Sequence, residues 1–225
     1  RATSYARNGA TPNDASSTPE RPERPPWHRS SELVAMILEF ASEPWVSLRL
    51  GLDVGDSEIV SVRPGGIVVV MGPTGSGKSS LVAGMLIAHA RDRGPIVVLS
   101  RELPADEFAA RMIGMQCDAS WPNVLKGRVQ LSEMKRALSP RVLLLDRRNA
   151  TLDALGKAIE AAQAEFPGEP VLAAVDYLQI VESDKREERS KVADVIARID
   201  ELARNHRAVV LAISQMSRAS SRAAR

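Results

Sequence analysis

The chain has 225 residues, 44% of them apolar and eight aromatic, and sets 30 Lys and Arg against 28 Asp and Glu for a net charge of +2. That length accommodates one full-sized domain. Its single cysteine, Cys117, excludes an intrachain disulfide, and no uncharged apolar run of about 18 residues is present to span a bilayer.

The charge is unevenly divided. Residues 1–30 carry five basic and three acidic groups, residues 216–225 three basic and no acidic ones, and residues 31–215 22 basic against 25 acidic. An acidic core with basic ends is the result. Residues 1–30 also hold five of the fourteen prolines and show no periodic apolar pattern, so they read as a disordered leader. No secretory signal is visible, and Asp14, Glu20 and Glu23 argue against a mitochondrial-type presequence, which leaves a cytoplasmic address as the expectation.

Residues 31–45 read as a linker or packing helix. Ser30 or Ser31 can cap it, Leu33, Ile37 and Phe40 fall on one face, and Pro44 closes it. From 46 to 215 one theme repeats, a short continuous apolar run followed by a longer stretch with helical spacing. The runs are 67–71, 96–99, 142–145, 171–175 and 208–213. Continuous apolarity suits strands buried on both faces, as in a mostly parallel sheet flanked by helices. The helical stretches follow in turn: Leu81, Met85 and Ala88; Phe108, Met112 and Met115; Leu152, Leu155, Ile159 and Ala162, with Thr151 placed to cap; and Val192, Val195, Ile196, Ile199 and Leu202. Met112 and Met115 read as core filler. The fold class is α/β. Residues 216–225 read as a basic polar tail.

The first strand runs into Gly72-Pro73-Thr74-Gly75-Ser76-Gly77-Lys78-Ser79, followed by Ser80 and an apolar helix. This is the G-x-x-x-x-G-K-[ST] pattern in its required setting, and chance would produce it roughly 0.003 times in a chain of this composition. Glycines let backbone N–H groups approach phosphate oxygens, and the helix that follows turns its positive end to the same anion. Lys78 suits the terminal phosphates of ATP and the Ser79 hydroxyl suits Mg²⁺. The pattern defines a P-loop but not what the nucleotide does.

Other polar groups fall at strand ends, where ligands gather in an open parallel sheet. Asp176 ends an apolar run in the manner of a Walker B acid that holds Mg²⁺. Glu102 follows the second run and suits a general base that activates water. Gln215 follows Ala208 to Ser214 and suits a γ-phosphate sensor. Asp146 ends a run too, but has no assigned partner and reads as a loop acid. His28, His89 and His206 lack metal spacing, and Cys117 lacks a nearby His or Cys partner.

These segments carry a family likeness. Ser100-Arg101-Glu102-Leu103-Pro104 with Phe108 to Met112, Val175-Asp176-Tyr177-Leu178-Gln179-Ile180-Val181, and Ala212-Ile213-Ser214-Gln215-Met216-Ser217-Arg218 resemble the corresponding stretches of DnaB-type replicative helicases. The likeness covers roughly residues 46–218. It implies a RecA-like P-loop ATPase that assembles as a homo-oligomeric ring or hetero-assembly and moves single-stranded DNA through a central channel. In that setting Glu102, Lys78 and Gln215 serve catalysis, Gly72 through Ser80 bind nucleotide, and Ser79 and Asp176 hold Mg²⁺. Arg101 replaces the apolar residue usual before the catalytic acid. The family's N-terminal helical domain has no counterpart in residues 1–30, and the ten residues after Gln215 leave its arginine finger without an obvious source, Arg218, Arg222 and Arg225 being the nearest substitutes. The basic loop from Lys185 to Lys191 falls where the resemblance puts a DNA contact, although Asp184, Glu187 and Glu188 are interleaved with it and a solvated loop explains it as well; Arg147-Arg148 is the other basic cluster. Recombinase-type or regulatory ATPases without unwinding, and a nucleotide-binding remnant acting through a partner, are the alternatives.

Overall fold

The structure, a computed structural model, describes residues 30–42, 45–49, 58–145, 151–176, 178, 181 and 188–215. The chain divides into two units, residues 1–39 and 40–225. Helix α1 (Ser30–Ser42) begins in the first unit, with Leu33 and Ile37, and Val34 and Leu38, each one turn apart.

The second unit opens with β1 (Val46–Arg49) and β2 (Glu58–Val62), an antiparallel pair in which Val46 stands opposite Val62 and Leu48 opposite Val60. Then follow β3 (Ile67–Gly72), α2 (Lys78–Asp92), β4 (Ile96–Ser100), α3 (Ala105–Gln116), α4 (Trp121–Leu125), α5 (Leu131–Ala137), β5 (Val142–Leu145), α6 (Leu152–Glu165), β6 (Leu172–Asp176), α7 (Glu188–His206) and β7 (Val209–Gln215). Strands β3 to β7 form one sheet in the order β3-β7-β6-β4-β5, every neighbouring pair parallel.

Period-2 geometry explains the continuous apolar runs. On one face of the sheet Ile96, Val98, Leu172, Ala174, Leu211 and Ile213 pack with Val82, Met85 and Leu86 of α2, Phe108 and Met112 of α3, and Val46 and Leu48 of β1. The intervening residues, Val97, Leu99, Ala173, Val175, Val210 and Ala212, pack on the opposite face with Leu155 and Ile159 of α6 and Val195 and Ile199 of α7. The central strands are therefore apolar up to their carboxyl ends, where Ser100, Asp176 and Ser214 are buried instead. Thr151 caps α6 as expected, accepting a hydrogen bond from the Ala154 N–H at 3.1 Å.

Two expectations need correction. Strand β3 is not buried on both faces: Val69 and Met71 are 40% and 62% exposed, and among the described residues β3 lies at the sheet edge with β7 as its one neighbour. Met115 is not core filler. Met112 is buried as expected, whereas Met115 lies 46% exposed near the end of α3 and lines a cavity with Phe108 and Arg111. Asp146, Arg147, Arg148, Tyr177, Gln179, Lys185 to Glu187, the leader 1–29 and the tail 216–225 lie outside the described residues. Among the described residues no helix is long and apolar enough to cross a membrane.

Candidate functional site

Strand register brings the singled-out residues to one sheet edge. Gly72 stands opposite Gln215 across β3 and β7, and Ser100 stands opposite Asp176 across β4 and β6. The loop after β3, Gln215, Asp176 and the Glu102 turn thus leave four strands that are adjacent in the sheet. Sheets of this type hold ligands at that edge.

The loop from Gly72 to Ser79 is built by its glycines. Gly75 and Gly77 have φ of +79° and +84°, and a Cβ at either would meet nothing within 4 Å, so backbone conformation alone demands glycine there. Gly72 is the opposite case: its backbone is ordinary, but a Cβ would lie 2.9 Å from the Ser76 Oγ and 3.5 Å from the Lys78 Cδ. Gly77 caps α2 without a side-chain hydrogen bond, and the first turn of α2 contains no acid. The helix therefore keeps its N-terminal amides and positive end available to an anion. Gly77→Ala is expected to cost about 1–2 kcal/mol for the left-handed angle, a fall in Tm of roughly 2–8 °C for a chain of this size. Thermal unfolding checks it, and an unchanged Tm would mean that the loop accepts another geometry.

Lys78 donates from Nζ to the Pro73 carbonyl at 2.7 Å, so its ammonium lies back across its own loop. The Glu102 turn is set by two hydrogen bonds, the Leu103 N–H donating to Ser100 Oγ at 3.1 Å and the Arg101 N–H donating to the Asp176 carbonyl at 3.0 Å. Asp176 is 2% exposed, and neither carboxylate oxygen has a hydrogen-bond partner. Burial pushes its pKa up and repulsion from Glu102 adds to the rise, while the nearby Ser79 hydroxyl, Lys78 and Arg111 oppose it. An orphaned carboxylate beside a hydroxyl and a lysine is an unfinished polar site.

A cavity of about 270 Å³ joins these groups. Thr74, Gly75, Gly77, Lys78, Ser79 and Ser80 line it together with Glu102, Asp176 and Gln215. Gly72, Pro73 and Ser76 shape the loop without lining the cavity. Arg111 lines it as well, a residue that sequence reasoning missed. The signal was present: Arg111 stands three residues after Phe108 and four before Met115, a cation on an otherwise apolar helix face. A second cavity, of about 380 Å³, begins at the same Ser79, Ser80 and Arg111 and extends between α2 and α3 to Trp121.

Among the described residues no group of three or more His, Cys, Asp and Glu could hold a metal ion unaided. Asp176 and the Ser79 hydroxyl suit Mg²⁺ that arrives with phosphate oxygens, since this ion keeps few protein ligands.

The DnaB-like helicase C terminal domain family matches residues 48–225. The replicative DNA helicase DnaB of Helicobacter pylori (strain ATCC 700392 / 26695) is 22% identical over 178 residues, covering 72% of this chain and 35% of that protein; the DnaB of strain J99 / ATCC 700824 matches to the same extent. The chain thus spans about a third of the length of these relatives, 35%. In fold it is similar to a separately solved ATPase domain, with a TM-score of 0.68 and 17% identity, over 85% of this chain and 72% of that one. A DnaB-like replicative helicase, solved in a study of its interactions with primase, gives 0.69 and 16%, over 87% and 50%. The KaiC-like protein PH0186 of Pyrococcus horikoshii OT3 gives 0.53 and 16%, over 77% and 73%. The fold is RecA-like, and the chain belongs to the DnaB-like helicase C terminal domain family.

Proposed function

We propose that this chain binds and hydrolyses ATP with Mg²⁺ and uses the cycle to act on single-stranded DNA within a ring or mixed assembly. One observation carries the ATPase half: Lys78, Ser79, Glu102, Asp176 and Gln215, drawn from separate strand ends, line a single cavity. The DNA half rests on family membership and on relatives named as replicative DNA helicases.

The roles follow from chemistry. Backbone amides of the loop and the first turn of α2 receive phosphate oxygens. Lys78 exchanges the Pro73 carbonyl for the terminal phosphates. Ser79 and Asp176 would hold Mg²⁺, which would supply neutralisation of phosphate charge when bound. Glu102 takes the proton of the attacking water, and the Gln215 amide contacts the γ-phosphate from the end of β7.

ATP turnover with and without single-stranded DNA tests the whole proposal. Hydrolysis that rises on adding DNA supports it, and ATP binding without DNA-stimulated turnover, alone or with a partner ring, favours a regulatory ATPase.

Asp176 supplies a separate prediction. Its raised pKa means that, between the unfolded-state pKa and the higher folded-state one, the folded chain holds a proton which the unfolded chain has lost; stability is full below that window and is lost as pH rises through the folded-state pKa. Asp176→Asn is expected to abolish that pH dependence, because the amide does not ionise, and so to raise the Tm of the ligand-free chain at neutral pH relative to wild type more than in acid. The same variant loses Mg²⁺-dependent tightening of ATP. Calorimetry with and without Mg-ATP reads both effects, and a lowered ligand-free Tm would show that the buried carboxylate is stabilising after all.

A further inference from the structure

We propose that Arg111 acts on the nucleotide phosphates from within its own chain, and that Trp121 and Glu107 position it. The inference rests on the nucleotide-binding reading above. Arg111 lines both cavities, the one holding Lys78, Asp176 and Glu102 and the one running to Trp121. It therefore stands in the wall between them. One guanidinium nitrogen donates to a Glu107 oxygen at 2.9 Å, one helical turn earlier, and the guanidinium carbon lies 5.2 Å from the centre of the Trp121 ring. Its Nε is buried with no hydrogen-bond partner.

Each contact fits a residue held ready for an anion. A guanidinium carries five donors and keeps its charge at any working pH, so a buried unpaired Nε–H is a donor awaiting an acceptor. The aromatic face holds the cation without occupying its donors, because the attraction is to the ring quadrupole and not to a lone pair. Glu107 takes one donor edge and leaves the remainder. Arg111 and Asp176 line the same cavity, which puts the guanidinium at the place where the phosphates would bind. Residues named by the P-loop and Walker patterns supply one cation here, Lys78; Arg111 supplies a second, from α3.

Trp121 provides its own reporter. A guanidinium that leaves the ring for phosphate changes the emission of Trp121, and Trp121→Phe identifies which part of the signal belongs to it, since Trp27 and Trp45 remain. The test uses the full chain. Arg111→Gln is expected to lower kcat by about 10²-fold, the usual loss on removing one donor to developing charge, with unchanged Tm. Trp121→Leu is expected to lower kcat about tenfold with KM nearly constant, and Trp121→Phe to restore most of it because the aromatic face is kept. ATP should change wild-type Trp121 emission, and the change should vanish in Arg111→Gln. Turnover of Arg111→Gln equal to wild type, or equal kcat in Trp121→Leu and Trp121→Phe, overturns the proposal while leaving nucleotide binding intact. Failure of the wild type to bind ATP in a Lys78-dependent way overturns both.

Discussion

Glu102→Gln is expected to bind ATP within a few-fold of wild type and to lose about 10²–10⁴ in kcat, the usual contribution of a positioned general base. Glutamine keeps the size and one acceptor of the side chain but cannot take a proton. Glu102 is exposed and lies in the turn after β4, where the Leu103 and Arg101 amides fix the backbone independently of its side chain. Tm should therefore not move. Nucleotide binding by equilibrium titration and turnover by phosphate release together decide the matter. Undiminished hydrolysis would remove Glu102 from the chemistry and direct attention to another acid at the same edge.

Lys78→Ala produces the second large effect, and a different one. The ammonium now donates to a carbonyl of its own loop in an exposed position, so its removal leaves no buried orphan and the fold should be unaffected. What is lost is a charge-assisted contact with phosphate. At about 1.5–3 kcal/mol that weakens binding by roughly 10–150-fold, with a further kcat loss of about 10²–10³ where the contact strengthens as charge develops. Glu102→Gln should thus separate binding from turnover, and Lys78→Ala should damage both. Normal ATP affinity in Lys78→Ala would contradict the phosphate assignment of the whole loop.

Much of the α/β sheet was legible because five apolar runs coincide, within a residue or two, with the five parallel strands. In β4, β6 and β7 burial on two faces leaves no alternation to misread. The antiparallel pair β1 and β2 was not legible: each strand has at most five residues, and its packing partners Val82 and Leu86 come from a helix later in the chain. Helices α4 and α5, five and seven residues long, were missed for the related reason that so few residues show no helical period. Of the site, the P-loop and the strand-end residues were readable because their spacing is local. Arg111 was not, since its place beside Asp176 depends on how α3 packs, and Met115 was misjudged because the cavity that it lines exists only in three dimensions.

The position of β3 bears on the order in which this unit folds. Its partner in the sheet is β7, and Ile67 pairs with Val210, 143 residues farther along the chain. Strand β3 carries the phosphate-binding loop, yet among the described strands of its sheet its one neighbour, β7, is made more than a hundred residues later. Such long-range parallel pairing closes slowly. The loop is thus seated only once β3 and β7 are joined, so nucleotide affinity gained during refolding reports that long-range pairing. By mass action, ATP then favours the completed state over every partly folded one.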